Sequence, residues 1–190
     1  MKPNEIHGLL ETHLVQMRDT VPRGTVLGNV AGKIILMASS YESDGLTFLA
    51  RGDTVNALAS FWYAFGWLHF GEAYGLITGP AIACPVLGSS EGCPPGICAA
   101  LTEKTLRYRR LLNTARLSVT CSPERETVTG EFSLRVLFVA EIYEKQGETY
   151  YSAGKSEDAL ACFSYGHGWL DAGVTSGLFQ ITGERDLFTV

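Results

Sequence analysis

The sequence is short of charge, and of positive charge in particular. Charged residues make up 18% of the 190, and 15 Lys and Arg stand against 20 Asp and Glu, a net charge of -5. That balance argues against a broad basic footprint for duplex nucleic acid, though not against a local patch, so a nucleic-acid partner is not expected. Paired cysteine spacings are also missing. Five cysteines, an odd number with no CxxC, argue for reduced thiols rather than a disulfide framework. The first residues, MKPNEIHGLLETH, lack the apolar run of a secretory signal, and a cytoplasmic protein is the expectation. No stretch alternates with period two for long enough to argue a sheet. Apolar residues, at 46%, are plentiful enough for a packed core, which excludes global disorder.

One region is almost bare of charge. Glu72 is the only formal charge between Asp53 and Glu91, and the stretch on either side of it has about the length of a membrane span. Asn56, Ser60 and His69 interrupt the first stretch, and Gly79, Pro80 and Pro85 break the second. No membrane association is expected.

The strongest signal is internal repetition. At an offset of 102, ALASFWYAFGWLHFGEAYGLI (57–77) lies over ALACFSYGHGWLDAGVTSGLF (159–179), with 11 identities in 21 positions. The register runs upstream without a gap, and from 9 to 77 there are 24 identities in 69 positions. The chain reads as a tandem duplication: a helical repeat at 1–79, a Pro/Gly/Cys-rich apolar linker at 80–102 and a second repeat at 103–190.

Each repeat reads as three helices, so the fold class is all-α, two three-helix bundles related by a pseudo-two-fold. Ile6, Leu9, Leu10, His13, Leu14 and Met17 recur at helical spacing. A second helix is predicted over about 25–50, closed by Gly52 or Gly154 in the left-handed position that follows a helix. Asp53 and Ser156 are the expected N-caps of the third. That third helix is apolar on two sides, and Gly66, Gly71 and Gly75, with Gly168, Gly173 and Gly177 in the other copy, fall along it. Each glycine inside a helix costs roughly 1 kcal/mol against Ala, which close approach of another backbone would offset. The third helices are therefore expected to be central and to join the copies.

Sequence motifs give little chemistry. Gly154-Lys155-Ser156 ends like a phosphate-binding loop, but Thr149 stands where that loop needs glycine, and a helix rather than a strand precedes it. Gly88-Ser89-Ser90-Glu91-Gly92 has nucleophile-elbow spacing without the sheet that device needs. Cys84, Cys93 and Cys98 share one segment, but their spacing is not that of a structural zinc site, and no metal or other cofactor is expected. Arg23 with Glu42, and Arg125 with Glu144, are charged identities between the copies and suggest structural ion pairs. His167 and Asp171 lie four apart, on one helix face, as an acid–base pair would. Copy one has Phe65 and His69 at those places, so the pair occurs at most once per chain.

The run YYSAGKSEDALACFSYGHGWLDAGVTSGLF (150–179), and above all Tyr165 to Gly173 within it, resembles the archaeal domain of unknown function numbered 357. The resemblance implies a small helical bundle and an archaeal source, with no established activity and no catalytic residues to carry over. Tyr151, Gly154, Ala159 and Phe163 are similar, more weakly, to a tetratricopeptide hairpin.

The function expected is therefore a non-catalytic protein-binding or scaffold module, with a protein partner or self-association. Such a module should expose a groove or apolar patch near the linker or between the copies. The alternative is a small-molecule-binding protein or an enzyme, with a pocket formed where the copies meet, around Tyr63, Trp67, Tyr165, His167, Trp169 and Asp171.

Overall fold

A computed structural model describes residues 3–80 and 96–189. The first repeat runs α1 (Pro3–Gln16), β1 (Arg18–Asp19), α2 (Val26–Ala50), α3 (Thr54–Ala73) and β2 (Ile77–Thr78). The second repeats this order as α4 (Cys98–Leu117), β3 (Val119–Cys121), α5 (Val128–Ser152), α6 (Ser156–Thr175) and β4 (Phe179–Ile181), followed by a 3-10 turn at Arg185–Leu187. The fold is all-α with two antiparallel ribbons, β1 on β2 and β3 on β4, too short to leave a period-two signature. Each ribbon ties the end of a repeat's first helix to the end of its third.

The same local chemistry bounds the helices in both copies. Thr25 and Thr127 cap α2 and α5 by accepting from the amides of Gly28 and Gly130. Gly52 and Gly154 take φ of +76 and +75 after those helices. There the amides of Asp53 and Lys155 return to the carbonyls of Phe48 and Tyr150, the Schellman closure. Asp53 caps α3, accepting from the amide of Asn56. In the second copy the N-cap position falls on Lys155, and Ser156 is the first helical residue, one place from the expectation. Gly75 and Gly177 also differ from the helical reading. Both have φ +76 and stop their helices, with Leu76 and Leu178 donating back to Gly71 and Gly173. Two of the six supposed helix-interior costs thus vanish.

α3 and α6 form the centre. Both are buried around most of their circumference, as apolar residues on two sides require. They cross in direct contact at Gly66 and Gly168. A Cβ on Gly66 would lie 2.5 Å from the Tyr165 carbonyl oxygen, and one on Gly168 would strike the carbonyl of Tyr63. This is a pseudo-two-fold point, since Gly66 and Gly168, like Tyr63 and Tyr165, are 102 apart. α2 packs on α3 and α5 on α6 at a second pair of equivalent glycines, Gly45 and Gly147, which lie against the rings of Phe61 and Phe163. α1 and α4 complete the layers over α3 and α6. α4 begins at Cys98, inside the segment composition assigns to the linker. Cys84, Cys93 and the serine-glycine motif at 88–92 lie outside the described residues. No described helix is long and apolar enough to cross a membrane.

Candidate functional site

The polar groups singled out in the sequence gather on either side of the Gly66–Gly168 crossing. On one side, Tyr63 of α3 donates its hydroxyl to the Asp171 carboxylate of α6. Thr189 closes that carboxylate, its amide 3.1 Å from Oδ1 and its hydroxyl 2.7 Å from Oδ2. His167 stands one turn before Asp171, its ring edge-on to Tyr63 at 5.5 Å and its Nε2 3.0 Å from the Leu187 carbonyl. Phe188 packs against the same imidazole at 6.4 Å. The segment 187–189 therefore lies over this cluster. Asp171 is fully buried, and His167 and Tyr63 are each 5% exposed.

Across the crossing stands the pseudo-symmetric counterpart. Tyr165 of α6 hydrogen-bonds through its hydroxyl to Nδ1 of His69 on α3, at 2.9 Å. Tyr63 and Tyr165 are equivalent residues, and so are Asp171 and His69. One two-fold operation carries the first bond onto the second, with an imidazole in place of the carboxylate. The matching rings behind them are Tyr41 on Tyr63, at 4.4 Å between centroids, and Tyr143 on Tyr165, at 4.3 Å. Next to His69, His13 of α1 is bound through Nε2 to Glu72 at 2.8 Å, with 5.7 Å between the two imidazole centroids.

Burial sets the protonation states. Desolvation, then the nearby Asp171 charge, raise the Tyr63 phenol well above its usual value, so it remains a donor. The same two causes push Tyr41 up to about 12. Desolvation lowers His69 to about 4, against the opposing pull of Glu72 and with a smaller push from His13. His167 is also lowered by desolvation, although Asp171 and the Leu187 carbonyl favour its charged form. His69 and His167, and the phenols of Tyr63 and Tyr41, are therefore neutral at neutral pH.

Of the expected residues, the structure brings Tyr63, His167 and Asp171 together in one cluster and places Tyr165 in the other. Trp169 lies beside Tyr165 at 6.4 Å and meets Phe70 edge-on at 5.8 Å. Trp67 is fully buried, in neither cluster. Among the described residues, the indole nitrogens of Trp67 and Trp169, and Nδ1 of His13, have no hydrogen-bond partner. His167 and Asp171 share a face without bonding to each other, each held instead by the segment after β4. Arg23 and Glu42 are not an ion pair: Arg23 reaches Asp19 at 3.3 Å, while Glu42 meets His7 of α1 at 3.2 Å. Glu144 is likewise held from the first helix of its repeat, by Arg116 at 2.9 Å and Asn113 at 2.7 Å. Long α2 and α5 carry these carboxylates well away from the turns that bear Arg23 and Arg125. The described residues contain no group of three or more His, Cys, Asp or Glu able to hold a metal ion.

Residue-level reading missed His69, Thr189 and the Leu187 carbonyl. His69 was findable: applying the 102 offset to a Tyr63–Asp171 bond yields Tyr165–His69. The other two have no counterpart in the first repeat and carry no periodic signal.

The fold and this interior define a duplicated helical-bundle protein whose two units share one polar-studded interface. The family model described as a protein of unknown function, DUF357, matches residues 7–77 and again 107–179, and the chain belongs to that family. No curated protein and no solved structure matches it.

Proposed function

We propose that this chain is a non-catalytic protein-binding or scaffold module. The observation that carries this reading is the exposure of large apolar side chains on the outer helices. Leu36 on α2 and Phe138 on α5 occupy equivalent positions and are 62% and 61% exposed. Burying such a side chain is worth roughly 1.5–3 kcal/mol, so two of them held in water on rigid helices are available to a partner. Beside Leu36 an open groove of about 630 Å³ runs between α2 and the turn after β1, lined by Arg23, Asn29, Gly32, Lys33, Ile35 and Leu36. These features sit on the outer faces rather than between the repeats. Between the repeats, in contrast, Tyr63, Tyr165, His69, His167 and Asp171 are engaged in hydrogen bonds, so a small molecule at Tyr165, His167 and Asp171 would have to displace existing bonds, and only the Trp169 indole nitrogen beside them is without a partner among the described residues.

A cytoplasmic setting and an archaeal source belong to the same proposal. They draw on the reduced-thiol composition, to which the free thiol of Cys121 adds, and on the resemblance of residues 150–179.

The test is capture from native lysate with the intact tagged chain, beside Leu36→Ser and Phe138→Ser variants, with mass spectrometry of proteins and small molecules. A stoichiometric protein partner, this chain itself included, lost from either variant supports the module. A metabolite carried equally by all three proteins, with no protein partner, overturns it in favour of the site between the repeats.

A further inference from the structure

We infer that the outer face of α5 is a self-association surface, on which a second copy of this chain docks antiparallel about a two-fold axis at Phe138. The inference rests on the reading of the chain as a binding module and names its partner. Leu134, Phe138 and Ile142 are 38%, 61% and 44% exposed and follow one another at spacings of four, an apolar ridge on the side of α5 away from α6. Glu131 and Lys145, seven residues before and after Phe138, are also exposed. Seven residues are close to two helical turns, so both charges fall nearly in line with the phenylalanine.

An antiparallel two-fold at Phe138 sets residue 138 + n opposite 138 − n of the partner. Phe138 then meets its own copy, Leu134 meets Ile142, and Glu131 meets Lys145. The layers are apolar on apolar in the middle and opposite in charge at both ends. Arg135 and Glu141 flank these layers, and their stems can cover the edges of the apolar contact. Lys145 bonds Glu141 on its own helix at 2.6 Å, but with the lysine 72% exposed that pair is worth little and is readily shared. A parallel arrangement would instead set Glu131 on Glu131 and Lys145 on Lys145.

The pattern belongs to the second repeat alone. At the five equivalent positions α2 carries Asn29, Gly32, Leu36, Ser40 and Ser43, with one apolar side chain and no charge. Neither α2 with α2 nor α2 with α5 therefore offers matched layers. The contact spans residues 131–145, roughly 22 Å of helix. A single pair of helices of that length lies at the small end of specific interfaces, so the dimer is weak and concentration-dependent.

Sedimentation equilibrium of the intact chain over a concentration series tests this. The expected result is a monomer–dimer equilibrium that Phe138→Ser weakens by at least about tenfold. Glu131→Lys alone and Lys145→Glu alone should each weaken it by setting like charges opposite, and the double variant should restore it. All three positions are on the surface, so the variants should retain the wild-type circular dichroism. A wild-type chain that stays monomeric up to about 1 mM overturns the inference, and so does a double variant no better than the singles. If the chain is monomeric while a different protein is captured through Phe138, self-association fails and the binding reading stands. Capture of nothing by a monomeric chain ends both.

Discussion

Asp171 is the residue on which most converges. It is fully buried, yet its carboxylate accepts from Tyr63 and from both the amide and hydroxyl of Thr189. Hydrogen bonds to a charged group are each worth roughly 1.5–3 kcal/mol, and a buried donor stranded without its acceptor carries a desolvation cost of similar size. Asp171→Ala should therefore destabilise the chain by about 3 kcal/mol or more, read from urea unfolding. Asp171→Asn, which keeps acceptor oxygen for Tyr63, should cost less. Equal losses would mean that charge rather than hydrogen bonding holds the site. His69 supplies a pH dependence whose sign is fixed. Its folded value of about 4 lies below the ordinary 6.5, so the unfolded chain binds its proton first. The stability this neutral ring contributes is present above pH 6.5 and declines as the pH falls toward 4, by about 3 kcal/mol. His167 shifts in the same direction and adds to the acid sensitivity. His69→Asn, which can still meet the Tyr165 hydroxyl, should flatten the fall in stability between pH 6.5 and 4 measured by denaturant titration.

Among the helices, α3 and α6 depend on missing side chains. Gly66→Ala would gain roughly 1 kcal/mol of helix propensity. It would also force a methyl against the Tyr165 carbonyl and the Gly168 backbone, which cannot yield without parting the two central helices. Net destabilisation of about 1–3 kcal/mol is expected by thermal unfolding. Gly32→Ala on the exposed face of α2 meets nothing within 4 Å and should stabilise by up to about 1 kcal/mol. Gly66→Ala that proves neutral would contradict the crossing. Glycine spacing made this contact legible in the sequence, since only a close approach offsets Gly66 and Gly168 in the middle of apolar helices. The same reasoning misread Gly75 and Gly177. A glycine at a helix end and one at a crossing look alike until the chain's direction is known. The partners of Glu42 and Glu144 were hidden for a related reason: helix registry between α1 and α2, or α4 and α5, depends on packing that no single-sequence period encodes.

As a whole, the molecule is two repeats with one shared centre, because α3 and α6 bury their faces on each other as well as on their own neighbours. Unfolding should accordingly be a single cooperative transition, with calorimetric and van't Hoff enthalpies in agreement. Gly66→Ala in the first repeat should lower the melting of the second by the same amount. Two resolved transitions would mean that the repeats fold as separate beads. The duplication was legible from the 102 offset, the helical class from the 3–4 spacing of apolar residues, and the central position of the third helices from their two apolar sides and their glycines. The cover supplied by Leu187, Phe188 and Thr189 was not, since the 102 offset gives these residues no counterpart in the first repeat.

The two cross-centre bonds, Tyr63 with Asp171 and Tyr165 with His69, carry a consequence for descent. Were the two units separate identical subunits about a true axis, positions 69 and 171 would be one codon, and every substitution there would be made twice in the same assembly. Joining them in one chain releases that constraint, and an acid could settle on one side while an imidazole settled on the other. A first unit paired with another first unit would set His69 against Tyr63 twice and have no Thr189 to close either site. The two halves are thus complementary rather than interchangeable: only a first unit set against a second makes both bonds, and the covalent join ensures that pairing.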